Sequence, residues 1–378
     1  MKRISVALCG LGTVGYGVYE RLIQEKQKQN QIDITVVLTS RPELVDGVET
    51  TRNFERILQD DSIDVVIELI GGIEPAYSWI RQSLAKGKHV VTANKAVLAR
   101  YWIELMSLAK ANSVQLKYEA SVGGGIPIIH GLMDWMSKGT IRRLGGILNG
   151  STNYVLGLLE AGQPLEEGIK QAQTLGFMEK DPSEDIDGWD IANKLVILAN
   201  LAFEGCFDVA KVDRRSLRDV SQSLLTFAVQ KGWRIKYVAY AEVDQSDVSL
   251  LVEPVVVLVD HPLAQICQET NWIYVEGNIV QTWTGAGAGR GPTSASILYD
   301  LTDLAMELPP VYFDKIRPCN VAATKKTSRY LVQGIQPLEL TNFDVLEDGF
   351  YITKPMTMDQ FRAMSWHLES WIRWEETK

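Results

Sequence analysis

Cysteine and histidine are scarce in this chain, and no apolar run has the length of a membrane span. The four cysteines and four histidines are scattered over 378 residues, so neither a disulfide framework nor a zinc site is indicated. Acidic residues outnumber basic ones, 47 to 38, which disfavours nucleic-acid binding. The N-terminus enters a strand directly. We therefore expect a cytoplasmic protein of two or three domains, with neither a nucleic-acid nor a membrane partner.

What the chain does contain is a glycine motif at its start. The apolar run Ile4–Cys9 is typical of a buried parallel strand and leads directly into Gly10-Leu-Gly-Thr-Val-Gly15, which a helical pattern follows. Gly10 permits a tight turn, Gly12 admits a pyrophosphate, and Gly15 allows close helix–strand packing. Leu11, Thr13 and Val14 complete the loop at the helix N-terminus, where phosphates bind. The motif predicts a dinucleotide site in a doubly wound α/β domain of the Rossmann type.

The end of the second predicted strand bears on the choice of cofactor. After Ile34–Leu38 the chain continues Thr39-Ser40-Arg41-Pro42, without an acid for the adenine ribose. A hydroxyl and a guanidinium suit a 2′-phosphate. Arg41 can equally be a solvated loop residue. We favour NADP(H), with NAD(H) as the alternative.

Two further strands end in residues that carry chemistry. One runs to Glu68 and the pair Gly71-Gly72, and another ends Thr92-Ala-Asn-Lys95. Carboxyl ends of parallel strands line the ligand crevice in such folds, so Gly71 and Thr92 are candidate cofactor contacts. Lys95 is either a catalytic or cofactor contact or a surface lysine that begins a helix.

The segment 175–194 concentrates acidic residues before an apolar run. Asp190 and Lys194 are four residues apart, so a helix that begins near Gly188 places both on one face. A lysine held by a carboxylate beside a buried helix can act as a proton donor. The alternative is a helix whose first turn carries acids that suit its dipole.

Beyond Pro127 the pattern is that of an α+β domain. Helical segments extend to about Phe203, and strand-like segments follow at 235–243, 248–258 and 272–280; such a sheet can pair across a dimer.

Two glycine-rich turns flank this domain. Gly123–Gly125 form either a hinge or a carbonyl site for a hard cation. The turn that contains Gly287 and Gly289, before a helix from about Ser294, either returns the chain to the cofactor or is a plain loop.

Taken together, these segments resemble homoserine dehydrogenase over roughly residues 1–320. The resembling segments are 10–18, 68–75, 92–96, 118–127, 149–154, 176–194 and 285–301. The resemblance implies NAD(P)H-dependent reduction of aspartate 4-semialdehyde to homoserine, in threonine and methionine biosynthesis, by a homodimer that binds sodium.

The resemblance also implies roles for individual residues. Lys194 would donate the proton, with Asp190 beside it, and Lys95 would be the second active-site lysine. Glu179 and Asp190 would bind the substrate ammonium group, with contacts from Gly176 and Ser151. Sodium would be held by the backbone carbonyls of Glu119, Val122, Gly124 and Ile126.

The expected domain organisation has three parts. Residues 1–130, with a return segment at 286–320, would bind the nucleotide, and residues 131–285 would bind substrate and dimerise. The extension 321–378 does not match a complete regulatory ACT domain; strands are expected near 330–332 and 350–352, and a helix near 358–371. Alternatives are a reductase of another amino-acid aldehyde, or a cofactor-sensing protein of the same fold.

Overall fold

The computed structural model describes residues 2–26, 31–245, 247–310, 313, 317–334, 342–347, 349–364 and 368–375. The chain forms two compact units. The first comprises Met1–Thr140, Ile197–Asp208 and Gly285–Pro318, and the second comprises Ile141–Val196, Val209–Thr284 and Cys319–Lys378.

The strands, in chain order, are β1 (Ile4–Cys9), β2 (Ile32–Leu38), β3 (Glu49–Thr51), β4 (Val65–Glu68), β5 (His89–Thr92), β6 (Leu116–Lys117), β7 (Arg143–Ile147), β8 (Gly205–Cys206), β9 (Asp213–Arg214), β10 (Arg234–Asp244), β11 (Asp247–Val257), β12 (Thr270–Glu276), β13 (Val280–Ala286), β14 (Arg317–Pro318), β15 (Arg329–Gly334), β16 (Phe343–Glu347), β17 (Phe350–Thr353) and β18 (Leu368–Trp374).

The helices are α1 (Thr13–Lys26), α2 (Phe54–Leu58), α3 (Ala76–Ala85), α4 (Lys95–Ala111), α5 (Ile128–Met136), α6 (Gly150–Glu160), α7 (Leu165–Thr174), α8 (Ser183–Ile186), α9 (Trp189–Ala202), α10 (Gln222–Gln230), α11 (Arg290–Ala305) and α12 (Met358–Arg362). Helix α11 begins four residues before the predicted position.

The first unit contains a parallel sheet of six strands in the order β3-β2-β1-β4-β5-β6. Strand β1 lies between β2 and β4, and its side chains are buried except at Ser5, as its unbroken apolar run predicts. Separate apolar clusters form on the two faces of the sheet: one around Leu8, Leu22 and Ile297, the other around Ala7, Phe54 and Ile57. The predicted doubly wound nucleotide-binding fold is confirmed.

The second unit contains a mixed sheet in the order β13-β12-β7-β10-β11-β18-β15-β17-β16, with β9 beside β11. Strands β10 and β11 form a long antiparallel hairpin at its centre. The predicted strand 272–280 is instead two strands, because β12 ends at Glu276 and Gly277 begins a turn that leads to β13. A mixed sheet with helices confirms the α+β expectation for this part of the chain.

The C-terminal extension differs from its predicted secondary structure. The expected helix 358–371 is wrong: helix α12 ends at Arg362, and β18 occupies Leu368–Trp374. Strand β18 pairs with β15 on one side and β11 on the other, and these backbone hydrogen bonds replace those of the helix. Within the described ranges, no helix has the length and apolar character needed to cross a membrane.

Candidate active site

The loop between β1 and α1 has the geometry that a pyrophosphate requires. Gly10 has φ +101°, and a Cβ atom there would lie 2.6 Å from the carbonyl oxygen of Leu69. A Cβ atom at Gly15 would lie 2.1 Å from the carbonyl oxygen of Gly10, whereas nothing lies within 4 Å at Gly12. Helix α1 therefore begins tightly against the strand, and the space at Gly12 is open beside its N-terminal amides.

Two arginines lie at the end of β2. The guanidinium of Arg41 donates to the carbonyl oxygen of Leu11 in the glycine loop, and its backbone N–H donates to Oγ1 of Thr39 at 3.0 Å. Arg52 donates to the carbonyl oxygen of Ser40 at 3.2 Å. The sequence had indicated Ser40 and Arg41 but not Arg52, which follows β3 and reaches this place only through the β2–β3 pairing.

The ends of β4 and β5 are joined by buried polar groups. Glu68 is fully buried, and its carboxylate accepts from Oγ1 of Thr92 at 2.6 Å and from the backbone N–H of Ile70 at 2.9 Å. Burial raises the pKa of Glu68, and these hydrogen bonds oppose that rise. Asn94 donates to the carbonyl oxygen of Gly72 at 2.7 Å and caps α4. Lys95 is therefore the first residue of a helix whose start is fixed to both strand ends.

The two glycine-rich turns that the sequence separates by some 160 residues are in contact. A Cβ atom at Gly124 would lie 2.5 Å from the carbonyl carbon of Gly287, and the backbone N–H of Gly125 donates to the carbonyl oxygen of Ala286 at 3.1 Å. Beyond Gly289, α11 packs against α1, where Arg290 lies over the ring of Tyr16 at 4.5 Å. The second turn thus belongs to the same unit as the nucleotide loop.

The carbonyl groups predicted to hold sodium lie in the buried loop 119–126. Glu119, Val122, Gly124 and Ile126 are all buried. The carbonyl oxygen of Gly124 accepts from Oγ of Ser296 at 2.6 Å, and that of Ile126 accepts from the N–H of Ile128 at 2.8 Å. A carbonyl oxygen has two lone pairs, so these bonds orient the groups and leave capacity for a cation.

An ion-pair cluster lies beside this loop. His130 contacts the carboxylates of Glu119 and Asp303, the latter at 2.6 Å, and Lys117 donates to Asp303 at 2.8 Å. Hydrogen bonds that the imidazole donates to Asp303 and Glu119 raise the pKa of His130 to about 10. Burial raises the pKa of Asp300, which accepts from the N–H of Glu119, to about 8. His130, Asp300 and Asp303 are close enough for a metal site, but the lysine and histidine already bind the Asp303 carboxylate.

The predicted lysine–carboxylate pair is present in the second unit. Nζ of Lys194 donates to Oδ2 of Asp190 at 2.7 Å and to the carbonyl oxygen of Leu148 at 2.8 Å. Lys194 is 9% exposed and Asp190 6% exposed. Helix α9 begins after Gly188, which has φ +78°, so the i, i+4 spacing places both groups on one face as predicted. Within the described ranges, these two contacts use two of the three ammonium hydrogens.

Two residues that the sequence did not indicate complete this group. Nδ2 of Asn149 donates to Oδ1 of Asp185 at 2.6 Å and to Oδ2 of Asp190 at 2.8 Å. Asp185 had been noted only as one of several acids, and it lies on the short helix α8. No spacing rule connects Asn149 with Asp185, because the two are 36 residues apart.

Of the remaining predicted substrate residues, Gly176 and Glu179 lie in the loop between α7 and α8, and Ser151 lies in α6. Gly176 ends α7 with φ +77°, and Glu179 is exposed. Oγ of Ser151 donates to the carbonyl oxygen of Phe177 at 2.5 Å, so Ser151 fixes the backbone of this loop. Gln173 donates to the carbonyl oxygens of Glu179 and Lys180, both at 3.0 Å. The carboxylate of Glu179 therefore projects from a loop that side chains on both flanks hold in place.

Comparison with known proteins gives consistent results for both units. A family model described as homoserine dehydrogenase matches residues 127–302, and one described as homoserine dehydrogenase, NAD binding domain, matches residues 10–119. The chain is 37% identical to a homoserine dehydrogenase of Bacillus subtilis over 80% of this chain and 72% of that protein. It is 38% identical to one from Synechocystis, over 80% and 73%. A solved homoserine dehydrogenase from Thiobacillus denitrificans matches with a TM-score of 0.90 and 28% identity, over 100% of this chain and 99% of that one.

Proposed function

The chain belongs to the homoserine dehydrogenase family, and we propose that it reduces aspartate 4-semialdehyde to homoserine with Lys194 as the proton donor. It is an oxidoreductase that acts on a CH–OH group with a nicotinamide cofactor. The observation that carries the assignment of the donor is the buried contact of Lys194 with Asp190 and the carbonyl oxygen of Leu148.

The residues of this chain act on the aldehyde oxygen. When bound, the reduced nicotinamide supplies a hydride to the aldehyde carbon, and negative charge then develops on oxygen. The ammonium group of Lys194 stabilises that charge and transfers a proton to the oxygen. Asp190 holds the ammonium group on one side, and the carbonyl oxygen of Leu148 holds it on another. Lys95, at the start of α4, supplies the second cation that we propose for the reaction.

Recognition of the substrate's amino-acid end needs an acid for its ammonium group. We propose that Glu179 and Asp190 provide it, with Gly176 and Ser151 shaping the loop. The support is that Glu179 is exposed on a loop fixed by Ser151 and Gln173.

The preference for NADP(H) over NAD(H) is also a proposal. It is supported by the absence of an acid directly after β2, and by Arg41 and Arg52, which place two guanidinium groups there. The other proposed contacts are the glycine loop 10–15, Ser40, Gly71, Thr92, Lys95, Gly287 and Gly289. Among these, Gly12 leaves open space, as a bound pyrophosphate requires.

We propose sodium as the ion of the loop 119–126, held by the carbonyls of Glu119, Val122, Gly124 and Ile126. The support is the burial of all four residues and the orientation of the Gly124 carbonyl by Ser296. Sodium would act on the conformation of the loop, since the reaction needs no catalytic metal.

The proposed domain functions are those that the sequence indicates. Residues 1–130 and 286–320 bind the nucleotide, residues 131–285 bind substrate and dimerise, and residues 321–378 form an extension. A homodimer is supported by β13, an edge strand of the second sheet. Ile279 and Val280 at its start are 66% and 63% exposed, and apolar side chains on an open edge suit contact with a second copy. Placement in threonine and methionine biosynthesis follows from the product.

The test is oxidation of NADPH on addition of aspartate 4-semialdehyde, with NADH in parallel and succinic semialdehyde as a substrate analogue that lacks the ammonium group. We expect turnover with the amino-acid aldehyde and little with the analogue. Equal rates with both aldehydes would contradict the role of Glu179 and Asp190. If neither aldehyde is turned over, the proposed activity itself is contradicted. Family membership disfavours both a pure cofactor sensor and a reductase of another amino-acid aldehyde.

A further inference from the structure

The connection between β7 and α6 consists of Leu148 and Asn149, and both contact the lysine–carboxylate pair. Leu148 accepts from Nζ of Lys194 through its carbonyl oxygen at 2.8 Å. Asn149, 4% exposed, donates from Nδ2 to Oδ1 of Asp185 at 2.6 Å and to Oδ2 of Asp190 at 2.8 Å. One short connection therefore determines the surroundings of the proposed proton donor on two sides.

Both the oxygen and the nitrogen of the Asn149 side-chain amide form hydrogen bonds. Its Oδ1 accepts from the backbone N–H of Thr152 at 2.8 Å and caps α6. Its two amide hydrogens are then directed at the two carboxylates, so the side chain has one orientation that satisfies all its partners. The assignment of oxygen and nitrogen follows from the same network, because the opposite assignment would set the amide oxygen against two carboxylates.

Without the amide between them, the carboxylates of Asp185 and Asp190 would repel each other. A neutral amide between them stabilises the charged form of both, since hydrogen bonding to a charged group favours that form. Asp190 uses Oδ2 for both Asn149 and Lys194, at 2.8 Å and 2.7 Å. A shift of the Asp190 carboxylate would therefore move the ammonium group with it.

We propose that Asn149 is a positioning residue: by donating to Asp185 and Asp190 together, it fixes the carboxylate that orients the ammonium group of Lys194. The proposal rests on the proposed function, since it assigns a role in the proton transfer made by Lys194. In this role Asn149 acts through Asp190 and not directly on the substrate. Its effect is on the proton-transfer geometry. Loss of the outer partners that orient metal ligands typically reduces activity by about 10- to 100-fold, and we expect an effect of that size here.

Two substitutions separate this role from the capping of α6. Asn149→Ser keeps an oxygen that caps a helix well but removes both amide donors. Asn149→Asp also keeps the cap, and places a third carboxylate against Asp185 and Asp190. The matched control is Asn153→Ser in the same helix. Asn153 is 1% exposed and donates from Nδ2 to the carbonyl oxygens of Ile266, Gln268 and Thr270, at 3.2, 2.9 and 3.4 Å.

The expected results differ between kinetics and stability. Asn149→Ser should reduce kcat by about 10- to 100-fold with an almost unchanged KM for NADPH, and Asn149→Asp should reduce it further. The primary isotope effect on kcat with deuterated NADPH should rise in Asn149→Ser, because the chemical step becomes slower relative to product release. Asn153→Ser should lower Tm but leave kcat and the isotope effect unchanged.

The proposal fails if Asn149→Ser and Asn153→Ser have the same kcat and isotope effect while the wild-type protein is active. An inactive wild-type protein would instead count against the proposed function. A crystal structure of Asn149→Ser tests the geometry independently of turnover. We expect the Lys194 ammonium to leave the Leu148 carbonyl or the Asp190 carboxylate, and an unmoved ammonium would overturn the proposal.

Discussion

At the scale of a single residue, the proposed chemistry depends on the ammonium group of Lys194. We expect Lys194→Ala to reduce kcat by on the order of a hundredfold or more, because a preorganised donor at the developing alkoxide is lost. Lys236→Ala is the matched control. Lys236 is also a buried lysine of the second unit, 1% exposed, and donates to the carbonyl oxygen of Ile266 at 2.9 Å. The Lys236→Ala variant should have a lower Tm in thermal melting but an unchanged kcat in steady-state kinetics.

Lys95→Ala is expected to give a loss of turnover of similar size, because it removes the second cation that we propose for the reaction. Its fold should be intact, since Asn94 and not Lys95 caps α4. Near-normal kcat in either lysine variant, with Tm unchanged, would remove that lysine from the mechanism.

We also propose that single side chains decide the choice of cofactor. Arg41→Ala should raise the KM for NADPH and leave that for NADH almost unchanged, because only NADPH carries the 2′-phosphate. Arg52→Ala should act in the same direction. Arg56→Ala is the control, since this exposed arginine of α2 pairs with Asp60 at 2.6 Å and Glu49 at 3.1 Å instead. Equal effects on both cofactors would show that Arg41 does not contact the 2′-phosphate.

The residues that the sequence indicated and those that it missed differ in a physical way. Asp190 and Lys194 belong to one helix, so their spacing alone predicts their contact. Asn149 reaches Asp185 and Asp190 across 36 and 41 residues, and Arg52 reaches Ser40 through the pairing of two strands, so no periodicity relates them. For Glu68 the sequence did contain a signal of a polar site, because its carboxylate ends an otherwise apolar strand.

At the scale of elements, the ion pairs of His130 connect α5 to α11. A histidine whose pKa rises on folding stabilises the folded state below its unfolded pKa, about 6.5, and that stabilisation is lost as the pH rises through the folded value, about 10. His130→Gln should therefore lower Tm most near pH 6, and the difference from wild type should shrink towards pH 10. Glu119, Asp300, Asp303 and Lys117, which surround His130, are present in both proteins.

The control for this pH dependence is His89→Gln. Burial lowers the pKa of His89, so its contribution is lost as the pH falls below about 6.5 and is constant at higher pH. The Tm difference for His89→Gln should therefore stay constant from pH 7 to pH 10. A constant difference for His130→Gln over the same interval would contradict the assignment.

The extension shows how tertiary pairing can override a helical pattern. Met358, Phe361, Met364, Leu368 and Trp371 have the spacing of an apolar helical stripe, yet only the first two lie in α12. Trp371 lies on β18 and still packs against Phe361, with ring centroids 5.0 Å apart. Met358, Phe361, Met364 and Trp371 share one core, as the pattern indicates. A strand between β11 and β15 nevertheless satisfies more backbone groups than a solvent-exposed continuation of the helix.

At the scale of the whole molecule, the extension is part of the second sheet. Deleting the residues from Arg329 onward should strongly lower Tm, because it removes β18 from the edge of β11 and Arg373 from its buried pair with Glu253. Breaking a buried pair of this kind costs roughly 3–5 kcal/mol. Deletion of 376–378 alone is the control and should leave Tm and elution volume unchanged. A longer truncation that melts and elutes like the intact protein would contradict this expectation.

Regulation by threonine is the other property of the whole molecule that the extension bears on. The described part of the extension has one helix, α12, of five residues. We therefore expect no inhibition by threonine at millimolar concentrations, measured as an inhibition curve. Sigmoidal inhibition would show that a working regulatory domain is present.

The sequence by itself determined the parts of this protein whose signals are local. An apolar strand followed by Gly10–Gly15 determined the nucleotide fold, and the four-residue spacing of Asp190 and Lys194 determined their contact. Tertiary structure decided what joins distant segments: the amide of Asn149 between two carboxylates, the contact of the two glycine-rich turns, and β18 in place of a helix. Local periodicity describes which face of an element is apolar, whereas backbone pairing and buried hydrogen bonds depend on which segments meet.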